Sequence, residues 1–237
     1  GIERLLSGIR RTLTALNPDI IIEFRQHYTG PRMRKYGNVF RAADCAHDLL
    51  QNRMRTIDLQ LLGGTSAIHS DMVIWSEYDT VQVAALQILN VLFSVPQISV
   101  RLSGESPEKR RMLAFWMRFC TEHRNVLQGG KLRPEHPELS YPVVTASGED
   151  EAVTAVYQTG LPVRLHSDVR HIIVNAKHTE ELLLDTDCAC TVRLFDVFGD
   201  PAGERTLVPG INRLSVPCSG MAVCDRHHCR QELGSKF

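Results

Sequence analysis

The chain has 237 residues, is 43% hydrophobic and 23% charged, and balances 27 Lys and Arg against 27 Asp and Glu. That length is one large or two small domains, and that composition excludes wholesale disorder. A formal net charge of +0 argues against a nucleic-acid binder or a polybasic membrane-surface protein, and no apolar run approaches the roughly 18–20 residues that span a bilayer.

From the first residue, Ile2, Leu5, Leu6, Ile9, Leu13 and Leu16 recur at helical spacing, and Asn17-Pro18 stops the helix. Glu3, Arg4, Arg10 and Arg11 make this stretch amphipathic, unlike a secretory signal. Asp19 to Phe24 reads as a strand of a parallel sheet covered on both faces, because Ile20, Ile21 and Ile22 run together. A second short strand is expected at Gly37 to Phe40, ending in Arg41-Ala42-Ala43-Asp44. A helix from His47 to Leu62 ends at Gly63-Gly64. Ala67 to Trp75 reads as mixed strand and loop. Asp79 is placed to cap a helix running through Val81, Ala84, Ala85, Ile88, Leu89 and Leu92. That helix is apolar nearly all round and therefore buried. Pro96 to Leu102 is a third β-type run in this part. Ser106-Pro107-Glu108 starts a helix that carries Leu113, Trp116, Phe119, Cys120 and His123 and ends at Gly129-Gly130. His123 on that stripe reads as a packed core edge rather than a ligand.

The pattern changes after Lys131. Short β-type runs follow at Pro142–Ala146, Ala152–Tyr157, Val163–Leu165, His171–Asn175, Leu182–Leu184, Thr191–Phe198, Asn212–Val216 and Met221–Cys224. Turn signals such as Gly199-Asp200-Pro201 and Pro209-Gly210 separate them, as in an antiparallel sandwich. Pro134, Pro137 and Pro142 mark the connector. The fold expected is α/β followed by all-β, with residues 1–130 as one domain and 131–237 as the other. Three or four βα units are too few for a closed eight-unit barrel, so the first part reads as the second half of one.

Seven cysteines at irregular spacing argue against a disulfide framework and for a reducing, cytoplasmic compartment. Cys188 and Cys190, two apart, are expected on one face of a strand as core residues. Cys218, Cys224, His227, His228 and Cys229 have soft-ligand composition but lack paired metal-ligand spacing. No phosphate loop, metal triad or Gly-x-Ser-x-Gly elbow is present, so no metal and no cofactor are expected.

In a βα barrel, polar residues at the C-terminal strand ends carry the chemistry. Three such ends stand out: Glu23 to Pro31, Arg41 to Asp44 with Asp48, and Ile68 to Met72. Carboxylates beside Arg, His and Tyr suit polyhydroxylated sugars. Asp44 is the best general acid/base candidate, just past a strand with Arg41 close by. The same residues have a plain structural use, since Asp44 and Asp71 can cap helices and Arg41 can pair with either.

At these residues the sequence resembles the second half of the catalytic barrel of α-galactosidases in glycoside hydrolase family 36, relatives of the plant raffinose synthases. Arg41-Ala42-Ala43-Asp44 falls where that family has an Arg/Trp-x-x-Asp motif whose Asp is the acid/base. Glu23 to Met33 falls on its sugar-recognition loop, and Ser66 to Met72 on its seventh strand. Arg111 to Leu132, with Phe115-Trp116, Arg124 and Gln128 to Leu132, resembles its last barrel helix and exit. The resemblance implies a retaining glycosidase acting on an α-galactoside or related oligosaccharide. Asp44 would be its acid/base, and Arg25, Tyr28, Gly30, Arg41 and Asp71 would line the sugar site. Arg25 to Pro31 lacks the family's Cys and Gly run, which leaves the sugar open. The family's nucleophile strand would precede Gly1. The chain taken literally is thus expected to be a fragment that is inactive alone, that self-associates or that joins a missing N-terminal half. Two alternatives stay open: a non-catalytic carbohydrate-binding or interaction remnant, and glycosyl transfer as in raffinose synthases.

Overall fold

The computed structural model describes residues 1–25 and 28–225. The molecule is mixed α/β in its first part and mostly strands in its second. Helix α1 (Ile2–Leu16) ends where Asn17 turns extended before Pro18. Strands β1 (Glu23–Arg25), β2 (Val39–Arg41), β3 (Ala67–Val73) and β4 (Val95–Ile98) form one parallel sheet in chain order. Helix α2 (Leu49–Gly63) connects β2 to β3, and α3 (Val81–Leu89) connects β3 to β4. Helices α4 (Pro107–Glu122) and α5 (Arg124–Gly129) follow.

Several caps act as their residue types dictate. Ser106 accepts from the Lys109 N–H, with Pro107 at the first helical position. Gly64 takes φ +60° past the end of α2, a conformation strained for residues with a Cβ. Asp79 does not cap α3. Thr80 does, accepting from the Val83 N–H at 3.3 Å, while Asp79 Oδ2 accepts from the Ser76 N–H at 2.8 Å and tightens the preceding turn. Neither Asp44 nor Asp71 is the N-cap residue of a described helix, and the α2 cap is Asp48.

The isoleucine run is not a doubly covered strand. Only Glu23–Arg25 is β1, and Ile21 is 68% exposed. The strand lies at the edge of the sheet, and among the described residues one side has no neighbour to pair with it. The long helix expected from Ser106 also breaks, at His123, into α4 and α5. There the His123 Nδ1 meets Glu151 Oε1 at 2.8 Å, and its ring packs 4.4 Å from that of Phe119.

The second part holds two more sheets. A seven-stranded sheet orders β12 (Pro201–Leu207), β11 (Cys190–Phe195), β14 (Met221–Cys224), β9 (Arg170–Asn175), β7 (Glu151–Val156), β6 (Val143–Ser147) and β5 (Lys131–Glu135). A three-stranded sheet orders β13 (Gly210–Ser215), β10 (Glu181–Thr186) and β8 (Pro162–Leu165). The expected purely antiparallel pairing does not hold, since β7 pairs parallel with β9 and β8 parallel with β10. The chain passes from β7 to β8 to β9 to β10 by changing sheets at each step. Two reversals bring it back to the same sheet in the same direction.

Alternation on the seven-stranded sheet feeds two cores. Val144, Ala146, Val153, Ala155, Ile172, Val174 and Val223 join α3, α4 and α5 around fully buried Trp116. Val143, Val156, Ile173, Val192, Leu194 and Ala222 face the small sheet with Val163, Leu184 and Leu214. The first core therefore runs unbroken across residue 130. Cys190 is buried in the second core, but Cys188 lies in a bend outside the strand and is disulfide-bonded, not a core residue. Its partner, and the candidate ligands His227, His228 and Cys229, lie outside the described residues. Among the described residues, no three His, Cys, Asp or Glu are placed to hold a metal ion, and no helix is long and apolar enough to cross a membrane.

Candidate functional site

The register of the parallel sheet sets the site. Arg25 pairs with Arg41 and Arg41 with His69 across β1, β2 and β3, so three basic or titratable residues form one row, at the last residues of β1 and β2 and the third residue of β3. The strand period of two then separates the faces. Phe24, Phe40 and Ile68 go to the side of α2, where they pack with Ala42 and Leu59. Glu23, Arg25, Arg41 and His69 share the other face.

That row gathers carboxylates. Arg25 Nη2 donates to Asp44 Oδ1 at 2.9 Å, and both side chains are largely exposed. Arg41 Nη2 donates to Asp71 Oδ1 at 2.7 Å, and here Asp71 is 1% exposed. Asp71 Oδ2 accepts from the Cys45 N–H at 2.5 Å, so both of its oxygens are taken. Its backbone is clamped as well: Asp71 N–H donates to Asn52 Oδ1 at 3.0 Å and its carbonyl accepts from Ser70 Oγ at 2.6 Å. Asp71 sits at the irregularity where the register of β3 against β4 shifts. A buried carboxylate held by a guanidinium and a backbone N–H, on a backbone held by Asn52, is a rigid post that aims Arg41. The Arg41 Nε–H is buried with no acceptor among the described residues.

A third pair lies beside these. His69 Nδ1 stands 2.7 Å from Glu23 Oε2 and 3.0 Å from Gln97 Nε2. Asp44, Cys45, Asp48, Asp71 and Met72 border a cleft of about 320 Å³ at this end of the sheet. The Cys45 thiol is pushed up to about 11, first by burial and then by the negative charge of Asp71. It is a protonated wall of the cleft at neutral pH, not a nucleophile.

Of the residues singled out from sequence, the structure brings Arg25 to Asp44 and Arg41 to Asp71, with Asp44 and Asp71 on one cleft. Tyr28 is 55% exposed, and Gly30 (φ +126°) precedes the short 3₁₀ turn Pro31–Lys35. No hydrogen bond or ion pair among the described residues joins Tyr28 or Gly30 to the cluster. Gln26 and His27 of the same loop lie outside the described residues. Sequence reasoning placed Glu23 and His69 within the candidate strand ends without naming them as site residues, and missed Asn52 and Gln97. The signal for Glu23 and His69 was present, because Glu23 is two residues before Arg25 and His69 two before Asp71. No protein-family model and no curated protein matches the chain.

Proposed function

We propose that the polar end of the parallel sheet is a sugar site of the α-galactosidase type, on the second half of a (β/α)₈ barrel backed by a β-sandwich domain. The observation that carries this reading is the row Arg25, Arg41 and His69, each in contact with a carboxylate, with Arg25 and Arg41 at the C-terminal ends of their strands. Rigidly aimed guanidinium donors and carboxylate acceptors match the alternating donors and acceptors of a sugar ring. Asp44, exposed on the cleft, is the carboxyl group able to reach a glycosidic oxygen, first as acid and then as base.

Retention requires a second carboxylate about 5–5.5 Å from the first. Asp71 is committed to Arg41 and Cys45, and Glu23 contacts His69. Neither is free to attack a sugar carbon, so the nucleophile would come from residues beyond those described. The same observation favours the second reading, a site that binds α-galactosides without cleaving them.

The test is hydrolysis of p-nitrophenyl α-galactoside by the polypeptide that supplies a full barrel, against the same protein with Asp44→Asn. Loss of about 10²–10⁴-fold in kcat with binding retained is expected for a lost acid/base. Activity untouched by the substitution removes Asp44 from the chemistry. Binding of methyl α-galactoside that persists in a protein with no hydrolysis selects the binding reading.

A further inference from the structure

Neutrality over the whole chain, which argues against a polybasic membrane-surface protein, conceals an uneven distribution. Residues 1–35 hold seven Lys and Arg against three Asp and Glu, so the rest of the chain carries the balancing excess of acid. The basic end coincides with α1, the one α-helix among the described residues with no buried residue. At about 3.6 residues per turn, Ile2, Leu5, Ile9, Leu13 and Leu16 fall on one stripe. Ile2, Leu5 and Leu16 are 62%, 61% and 79% exposed. A concavity of about 600 Å³ runs along the stripe, with Leu5, Gly8, Ile9, Thr12 and Leu13 among its walls. The helix is tied to the body off this stripe, through Glu3. Tyr36 Oη donates to Glu3 Oε1 at 3.1 Å, and Lys35 Nζ lies 3.4 Å from the same oxygen.

A helix of 15 residues is marginal in water by itself, and in proteins it draws most of its stability from covering an apolar face. Here that face is uncovered, and Gly8 in the middle weakens the helix further. The charges around the stripe select what can cover it. Arg4, Arg10 and Arg11 lie off the stripe on the same helix, and Arg32 and Lys35 stand beside Glu3. Glu3 is the only acidic residue of α1, and Lys35 and Tyr36 already engage it. Pairing two copies through the stripe sets Arg near Arg with no acid to answer, which opposes a helix-to-helix dimer. A nucleic acid meets the arginines but leaves the isoleucines and leucines in water. An anionic lipid surface answers both, because acyl chains take up the stripe while headgroup phosphates meet the guanidinium groups. Fifteen residues are too few to span a bilayer and enough to lie in its interface.

We propose that α1 is an interfacial anchor, which lays Ile2, Leu5, Ile9 and Leu16 into the headgroup boundary of an anionic membrane. None of these residues belongs to the cluster at Arg41 and Asp44, so the anchor stands or falls apart from the sugar-site reading.

The test is co-sedimentation of the full 237-residue chain with two sets of vesicles. One set is phosphatidylcholine alone, and the other is phosphatidylcholine with about 30% phosphatidylserine. The chain should sediment with the second set and not the first, and uptake should fall several-fold as salt rises from about 0.1 M to about 0.5 M. Leu5→Ser with Ile9→Ser should lower uptake roughly tenfold or more, because the stripe then gives up its insertion. Both positions are exposed, so the urea midpoint should hold. Arg10→Gln with Arg11→Gln should lower uptake roughly tenfold by weakening the attraction to phosphatidylserine. Leu61→Ser with Leu62→Ser, likewise exposed but at the end of α2, should leave uptake unchanged. No uptake by either set overturns the anchor, as does uptake that survives Leu5→Ser with Ile9→Ser or that phosphatidylcholine alone matches. Sedimentation velocity without vesicles tests the second copy: a dimer that takes up no vesicles, and that Leu5→Ser with Ile9→Ser returns to monomer, overturns the lipid surface in its favour. Uptake that disappears in a polypeptide supplying a full barrel overturns it in favour of a cover from the same chain.

Discussion

The parallel sheet and the seven-stranded sheet solve the same problem in opposite ways. Five consecutive residues of β7 and five of β9 are buried, because helices cover one face and the small sheet covers the other. On the parallel sheet the face toward α2 is apolar, and the other carries Glu23, Arg25, Arg41 and His69 beside the buried Val39. A continuous apolar run therefore marks a doubly covered strand in the β-rich part of this molecule. In the α/β part the run at Ile20 to Ile22 marks nothing of the kind, since it lies outside β1 and ends at a sheet edge.

The largest expected effect breaks the contrast at its hinge. Trp116 is fully buried in the core that joins α3, α4 and α5 to the seven-stranded sheet. Trp116→Ala should cost about 3–5 kcal/mol in urea unfolding. Because that core is continuous, the loss should appear in one transition seen alike by far-UV dichroism and by fluorescence of Trp75. Two separated transitions in the native chain would show that the two regions unfold independently.

Next in size is the buried pair of the open face. Asp71→Ala leaves the Arg41 guanidinium, itself mostly buried, without its partner and strips the Cys45 N–H of its acceptor. A loss of about 3 kcal/mol is expected from chemical denaturation. A loss below about 1 kcal/mol would mean that water reaches Arg41 and that the face is more open than its geometry states.

A smaller effect follows from the thiol in the same cleft. Burial and Asp71 raise Cys45 from 9.0 to about 11 in the folded chain. The folded value lies above the unfolded one, so the neutral thiol contributes stability fully below pH 9. That contribution fades as pH rises toward 11. The native chain should lose stability across this window more steeply than Cys45→Ala, measured as urea midpoints at pH 8, 9.5 and 10.5. Cys120 and Cys224, both raised to about 12 by burial, slope the same way in both proteins and cancel in the difference. Parallel curves would show that Cys45 meets solvent freely.

What could be read from the sequence divides along lines of range. Local signals were clear: Asn17-Pro18 ends α1, Ser106-Pro107 starts α4 and Gly64 ends α2. Most strands of the β-rich part showed their turns. The two missed, β5 and β12, are the edges of the seven-stranded sheet. There Pro134 is tolerated, which makes β5 read as a connector, and every residue of β12 before Leu207 is exposed, so β12 lacks the alternation by which strands are recognised. The strand ends pointed to Arg25, Arg41, Asp44 and Asp71 as site candidates, but not to how they pair. The Arg41–Asp71 bond spans 30 residues and the His69–Glu23 contact 46. Parallel register decides these pairings, and no local pattern encodes it. Cys188 carries the same lesson, since two-residue spacing from Cys190 implies a shared face only if both lie in the strand, and one lies before it.

The smallest expected effect on stability falls at the residue proposed to matter most for chemistry. Asp44 and Arg25 are paired at 2.9 Å but stand 67% and 46% exposed, so solvent screens the bond. Asp44→Asn should change folding stability by less than about 1 kcal/mol, measured beside Asp71→Ala in the same denaturant series. The two substitutions each remove one carboxylate from one guanidinium on the same sheet end, and they differ in burial and in the Cys45 N–H that Asp71 also accepts. A ratio near one between their costs would dissolve the distinction drawn here between a rigid post and an accessible reacting group. A wide ratio, with Asp44→Asn folded and stable, leaves that variant as a clean probe of catalysis, because whatever activity it loses cannot be charged to the fold.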